Sequence, residues 1–279
     1  MKDLANRAVV ITGAASGIGR AAAMAFALEG ATPLVIADID AIGLDETASA
    51  LARTGCDALA VPTDVTDRAA VQRLVDTALE HAGRIDVLVN VAGVGVFGPI
   101  EDLEPCDWEY VLGVDLWGVV NTVSAVYQHM VSRREGHIVN VASSSGLFDP
   151  VLYLAPYVTA KFGVVGLSEA LMLEGRVHGI GVSCICPGSV DTPIQDSTAI
   201  KWFIESSRAL TRTAFWIAEK PQDTARTIVA AVRKDRFIAV TTGYVKAAYF
   251  LRRHFPRAWF AYMRTFARVF AFAFRRYRA

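Results

Sequence analysis

Ile138-Val139-Asn140-Val141-Ala142-Ser143-Ser144-Ser145, followed after a short loop by Ala155-Pro156-Tyr157-Val158-Thr159-Ala160-Lys161, decides how this chain is read. The first five residues are an apolar run of strand length, and three serines close it. The loop contains Pro150, and a helix opening at Pro156 is expected to run to about His178. Tyr157 and Lys161 stand four apart, so a helix puts them on one face, one turn from each other. An ammonium beside a phenol favours the phenolate and lowers a pKa that starts near ~10. A phenol tuned in this way can exchange a proton with an alcohol or a carbonyl. A serine hydroxyl from the strand end can hold the same oxygen. The competing reading is a surface Tyr and Lys on an amphipathic helix, and a preceding dinucleotide site would decide between the two.

Such a site is legible at the amino terminus. Residues 8–11 have a buried-strand pattern, and Thr12-Gly13-Ala14-Ala15-Ser16-Gly17-Ile18-Gly19 is a glycine-rich turn that leads into a helical segment, 20–28. Glycines let backbone approach a pyrophosphate, and a helix N-terminus offers free N–H groups and the positive end of a dipole. Gly13, Ser16, Gly17, Ile18 and Gly19 are therefore candidate cofactor contacts. A second strand, 33–37, ends at Asp38, which lies 19 residues after Gly19. An acid there accepts hydrogen bonds from a ribose diol and repels a 2′-phosphate. No Lys or Arg lies between Gly13 and Gly19, so NAD is expected over NADP. Asp38 as a helix cap is the alternative, but Asp40 can fill that place.

Strands are expected at 58–62, 85–89, 138–142, 182–186 and 237–240, with helices at 41–53, 69–81 and, as one long helix, 101–133. This alternation specifies an α/β fold, a doubly wound parallel sheet in three layers of Rossmann type. Asp64 and Asn90 fall at strand carboxyl ends, where ligands bind in open parallel sheets. Residues 1–243 form the dinucleotide-binding and catalytic domain in this reading, and 244–279 a helical tail.

The composition fits a globular protein: 279 residues, 53% apolar and 20% charged. Cys56, Cys106, Cys184 and Cys186 form no metal-ligand spacing, so no metal is expected, and Cys184 and Cys186 should share one side of a buried strand. Reduced thiols, the lack of a leader pattern and the lack of a spanning run of about 18 apolar residues point to a cytoplasmic protein. The net charge is zero, yet nine Lys or Arg and no Asp or Glu follow Tyr244.

The motifs together resemble the short-chain dehydrogenase/reductase family. Thr12–Gly19, Asp64-Val65, Asn90-Val91-Ala92-Gly93, Ser143, Tyr157-x-x-x-Lys161 and Pro187-Gly188 come in the family's order across roughly residues 5 to 240. The resemblance implies hydride transfer between a nicotinamide and a secondary alcohol or ketone. It makes Tyr157 the general acid/base and gives Lys161 the task of lowering its pKa and holding the nicotinamide ribose. Ser143 becomes the substrate-orienting hydroxyl when counted from the strand, and Ser144 when counted back from Tyr157. Asp64 and Val65 resemble adenine contacts, and Asn90, Ala92 and Gly93 lie where the adenosine ribose would. Pro187, Gly188, Val190 and Thr192 lie in the segment that grips the carboxamide. A dimer or tetramer is implied. Where the family usually carries an Asn in a proton relay, this chain has Asp115. When ionised it is acceptor-only, and its charge near Lys161 raises the tyrosine pKa.

The candidate pocket lining is apolar: Val94, Val96, Phe97, Leu147, Phe148, Ile194, Trp202 and Phe203. A bulky hydrophobic alcohol or ketone suits it better than a sugar; ordinary core packing is the alternative. In the tail, Pro256 separates two expected helices. Trp259, Tyr262, Phe266, Phe270, Ala273 and Tyr277 fall on one side of the second, and Arg257, Arg264, Arg268 and Arg275 on the other. That pattern suits peripheral contact with an anionic membrane, or packing on the body or a sister subunit; nucleic acid is not expected. Two further functional readings stand beside the dehydrogenase. One is a catalytically impaired NAD-binding scaffold or membrane-surface protein, and the other a related enzyme on the same fold, a dehydratase, an epimerase or an NADP-dependent carbonyl reductase.

Overall fold

The computed structural model describes residues 1–148, 152–194, 199–200 and 218–274, with backbone alone at 199, 200, 270, 273 and 274. β1 (Val9–Thr12), β2 (Leu34–Asp38), β3 (Ala58–Pro62), β4 (Val87–Asn90), β6 (Gly136–Val141), β7 (Ile180–Cys186) and β9 (Ile238–Val240) pair in parallel, in the order β3-β2-β1-β4-β6-β7-β9. A short outlying pair, β5 (Val96–Phe97) with β8 (Ala199–Ile200), was not foreseen from the sequence.

Apolar runs with period-two alternation serve both faces of the sheet. Val9, Ile11, Leu34, Ile36, Val87 and Val89 point to a core shared with α1 (Gly17–Leu28), α2 (Ala41–Ala52) and α7 (Pro221–Lys234). Val10, Val35, Leu88, Ile138 and Val182 point the other way, towards α3 (Arg68–Ala82), α5 (Gly118–Arg133) and α6 (Ala155–His178). Cys184 and Cys186 lie together in this second core, as their alternation requires, and their sulfurs are 3.8 Å apart. All four thiols are free.

The expected long helix at 101–133 is composite. A 3₁₀ turn, Ile100–Asp102, precedes α4 (Pro105–Leu112), which starts where Pro105 occupies the first turn and Glu104 and Asp107 form a reciprocal capping box. A π-helical turn, Gly113–Trp117, then leads into α5. Such turns widen a helix locally and are frequent at functional sites. This one ends at Gly118, where a Cβ would lie 2.6 Å from a methyl of Val65. Pro256 separates the tail into α8 (Gly243–His254) and α9 (Pro256–Phe274), as anticipated. Pro150, Trp202, Phe203, Arg275 and Tyr277, and the side chains of Phe270 and Ala273, fall outside the described residues.

At the amino end of the sheet the fully buried Asp86 ties three elements together. It accepts from Arg84 Nε at 2.8 Å, Arg133 Nη2 at 2.9 Å and the Ala8 amide at 3.0 Å. Burial raises its carboxyl, but the Arg84 and Arg133 hydrogen bonds and the Ala8 amide outweigh burial, and its pKa is lowered. A carboxyl lowered in the folded state stabilises the fold above its unfolded pKa and loses that contribution as pH falls. Asp86→Ala should therefore lower stability by about 3 kcal/mol at neutral pH. The loss would be read as an earlier urea midpoint, and the gap to the parent should narrow as both are titrated into acid.

Candidate active site

Strand order reverses between β1 and β4, and the crevice at their carboxyl ends is where an open α/β sheet binds ligands. Gly13 occupies that turn at φ 69°, and a Cβ there would come 2.6 Å from the Ala92 amide nitrogen. Gly17 has φ 50°, and a Cβ there would come 3.1 Å from the Thr192 methyl. Ser16 caps α1 in an extended conformation without spending its hydroxyl on the helix. The first-turn N–H groups of Gly17, Ile18 and Gly19 thus face a glycine-lined cradle, a fit for a pyrophosphate. Asp38 accepts from the amides of Ala15 (2.9 Å) and Asp40 (3.1 Å), leaving acceptor capacity for a diol. Asp40, not Asp38, caps α2 through the Gly43 amide.

On α6, Tyr157 and Lys161 do share a face. The Lys161 Nζ lies 5.3 Å from the tyrosine ring centroid. Lys161 is 4% exposed, with its ammonium 3.0 Å from Asp115 Oδ2 and 3.4 Å from the Val141 carbonyl. The Ser143 hydroxyl accepts from the Ser145 amide at 3.1 Å and acts to lower the Tyr157 phenol, while Ser144 is held by its amide to the Pro187 carbonyl at 2.7 Å.

Asp115 is fully buried in the π-helical turn, and its Oδ1 accepts from the Val94 amide at 2.7 Å. Burial raises its carboxyl against the pull of Lys161. Burial also works against the Lys161 ammonium, but Asp115 and then Tyr157 outweigh it, and the lysine is raised. The 3.0 Å between the ammonium and Asp115 Oδ2 is an ion-pair distance. Tyr157 departs from the sequence expectation. Burial raises its phenol, Lys161 and Ser143 lower it, Asp115 raises it again, and the net direction is up. The lysine therefore serves two partners and does not by itself bring the phenol towards neutrality.

The remaining candidate residues divide. Asp64 stands exposed beyond β3 with one oxygen bonded to Thr66, and Val65 is buried against α5. Gly93 lies over the Asp115–Lys161 pair. Asn90 reaches its strand end, but its amide turns inward, donating to Asn140 Oδ1 (2.9 Å) and accepting from the Thr122 hydroxyl (2.8 Å). Only its backbone is left to face a ligand. Pro187 and Gly188 follow β7, Val190 bridges to Glu219, and Thr192 reaches Gly17. Val96 and Phe97 are buried. Phe148 is 2% exposed and packs on Tyr249 and Trp259 of the tail, so it is core rather than open pocket wall. Two contributions escaped the sequence reading. Tyr153, at φ 67°, accepts from the Gly98 amide and meets Phe97 edge-on at 5.7 Å, and Arg252 donates to the Leu147 carbonyl. Only the positive φ at Tyr153 marks it, and no sequence signal encodes that.

Gly17→Val tests the cradle: a β-branched residue at this φ meets the Thr192 methyl. Dinucleotide affinity, followed by reduced-nicotinamide fluorescence, should fall at least about tenfold, a loss of some 1.4 kcal/mol.

The sequence profile described as short chain dehydrogenase matches residues 7–201. The chain is 37% identical over 230 residues to the (2S)-[(R)-hydroxy(phenyl)methyl]succinyl-CoA dehydrogenase subunit BbsD of Thauera aromatica, covering 82% of this chain and 90% of that one. Among solved structures, a short-chain dehydrogenase/reductase from Burkholderia phymatum in complex with NAD superposes with a TM-score of 0.83 at 34% identity, over 91% of this chain and 95% of that one. The apo form of LigO from Sphingobium sp. strain SYK-6 superposes with a TM-score of 0.78 at 31% identity, over 96% and 92%. Profile, relatives and crevice agree, and the chain belongs to the short-chain dehydrogenase/reductase family of oxidoreductases.

Proposed function

We propose that this protein interconverts a hydrophobic secondary alcohol and its ketone, with NAD as the redox partner. The observation that carries the reading is the convergence of Ser143, Tyr157 and Lys161 at the mouth of a glycine-lined cradle. Bound nicotinamide supplies the hydride acceptor or donor. The chain does the rest: Ser143 Oγ orients the substrate oxygen, and Tyr157 Oη takes up or delivers its proton. Lys161 offsets the phenolate charge. Preference for NAD is supported by Asp38 and by Arg20, whose guanidinium is committed to Glu46 (2.9 Å) and Thr47 (2.8 Å) rather than free for a 2′-phosphate.

The hydrophobic substrate class is supported by Val94, Phe97, Leu147 and the edge-on Phe97–Tyr153 pair. The name of the BbsD relative points the same way, since its substrate bears a hydroxyl beside a phenyl group. A homodimer or homotetramer in the cytoplasm belongs to this reading. Leu173 and Val177, 67% and 70% exposed on α6, supply an apolar surface for it. The impaired-scaffold alternative draws on the tail and on Asp115, one of the groups that raise Tyr157.

Reduced-nicotinamide absorbance with NAD and NADP, across hydrophobic secondary alcohols and polyols, tests the reading. Turnover should favour NAD and the hydrophobic set, and Tyr157→Phe should lower kcat by roughly 10²–10⁴-fold. A polyol preference would overturn the substrate class, and an undiminished Tyr157→Phe enzyme the mechanism.

Because Tyr157 is raised, its phenolate forms on the alkaline side, and alcohol oxidation should quicken as pH rises. Asp115→Asn removes one of the charges that raise it. The alkaline limb of the kcat profile should then move to lower pH, whereas an inert Asp115 side chain would leave the profile in place.

A further inference from the structure

The tail follows the catalytic core, and its outer surface is the least explained on the molecule. Along α9, Trp259, Met263, Ala267 and Ala271 recur every fourth residue and are the less exposed side of the helix. The aromatic side expected from the sequence is therefore split. Trp259 turns inward to Phe148, while Tyr262 (59% exposed), Phe266 (43%), Val269 (64%) and Phe272 (72%) turn outward. Trp259, Tyr262 and Phe266 run along the helix in successive ring contacts of 5.8 and 6.4 Å, which stiffens that stripe. Arg257, Arg264 and Arg268 are exposed along one margin of it. No described acidic group pairs with these three arginines, and the sequence from 244 to 279 has nine Lys or Arg and no acid.

We propose that α9 is a monotopic docking element that lies flat on an anionic phospholipid surface, its aromatic stripe in the acyl–headgroup boundary and its arginines on the phosphates. Charge decides the occupant. A second copy meeting this face across a two-fold axis would set one cationic row against the other. Anionic headgroups complement it, each cation near such a surface being worth a useful fraction of the binding. The arginines along the helix make it unsuited to spanning a bilayer and suited to its interface. The placement ties the surface to the candidate site: Phe148 packs on Trp259 at 5.7 Å, and Arg252 donates to the Leu147 carbonyl while lying 5.3 Å from the Phe162 ring. Docking thus sets the bilayer beside the loop that leads on from Ser143. The docking itself rests on the tail alone and holds whether or not the proposed chemistry does.

The test is co-sedimentation of the full chain with phosphatidylcholine vesicles, with and without phosphatidylglycerol, at low and high salt. Binding is expected only to the phosphatidylglycerol vesicles, weakening with salt. Changing Arg257, Arg264 and Arg268 together to Gln should reduce partitioning roughly a hundredfold. Tyr262→Ser with Phe266→Ser should weaken it at low salt while far-UV circular dichroism stays that of the parent. No binding to anionic vesicles at low salt, equal binding to neutral ones, or unchanged binding by both variants would overturn the proposal. A fall in molecular mass by light scattering in the Tyr262/Phe266 variant would overturn it in favour of a second copy of the chain.

Discussion

An ammonium that is 4% exposed must be compensated where it sits, and the architecture around Lys161 is arranged to do so. Removing a charge from water costs several kcal/mol unless partners are close and well oriented. Asp115 at 3.0 Å and the Val141 carbonyl at 3.4 Å are those partners. Asp115 in turn depends on the π-helical turn that brings its carboxylate inward and on the Val94 amide that fixes one oxygen. Local helix geometry between two glycines thereby sets the charge next to the candidate acid/base. The same carboxylate that accommodates the lysine opposes the phenolate.

Beneath this cluster a chain of buried hydrogen bonds holds four elements in register. Thr122 on α5 donates to Asn90 on β4, Asn90 to Asn140 on β6, and Asn140 to Ser168 on α6, which donates to the Val164 carbonyl. Each polar atom in that chain has a partner, so it rigidifies rather than destabilises. Asp86 does comparable work at the opposite end of the sheet. The two ends are specialised, with the Asp86 ion pairs joining elements at the amino ends of the strands and the candidate proton-exchanging groups gathered at their carboxyl ends. The tail joins the carboxyl-end side through Phe148, Trp259 and Arg252, so α8 and α9 belong to the second core as well as to the surface.

What the sequence by itself determined is what short range encodes. Continuous apolar runs of strand length marked the strands, the glycine turn marked its place between strand and helix, and the i,i+4 spacing put Tyr157 and Lys161 on one face. Alternation put Cys184 and Cys186 on one side of β7, and Pro256 marked the break between α8 and α9. These features depend on backbone geometry a few residues long, so they survive without knowledge of the rest of the chain.

Tertiary structure alone decided the remainder. It buried the Tyr157 phenol, and that burial, more than the Asp115 charge, turned the net direction upward. It turned the Asn90 amide inward, gave Phe148 to the tail, and split the α9 aromatics between core and solvent. Each of these outcomes depends on which groups from distant segments arrive at the same place and how completely they exclude water. Desolvation and long-range contact are properties of the packed molecule, and no local pattern of residues carries them.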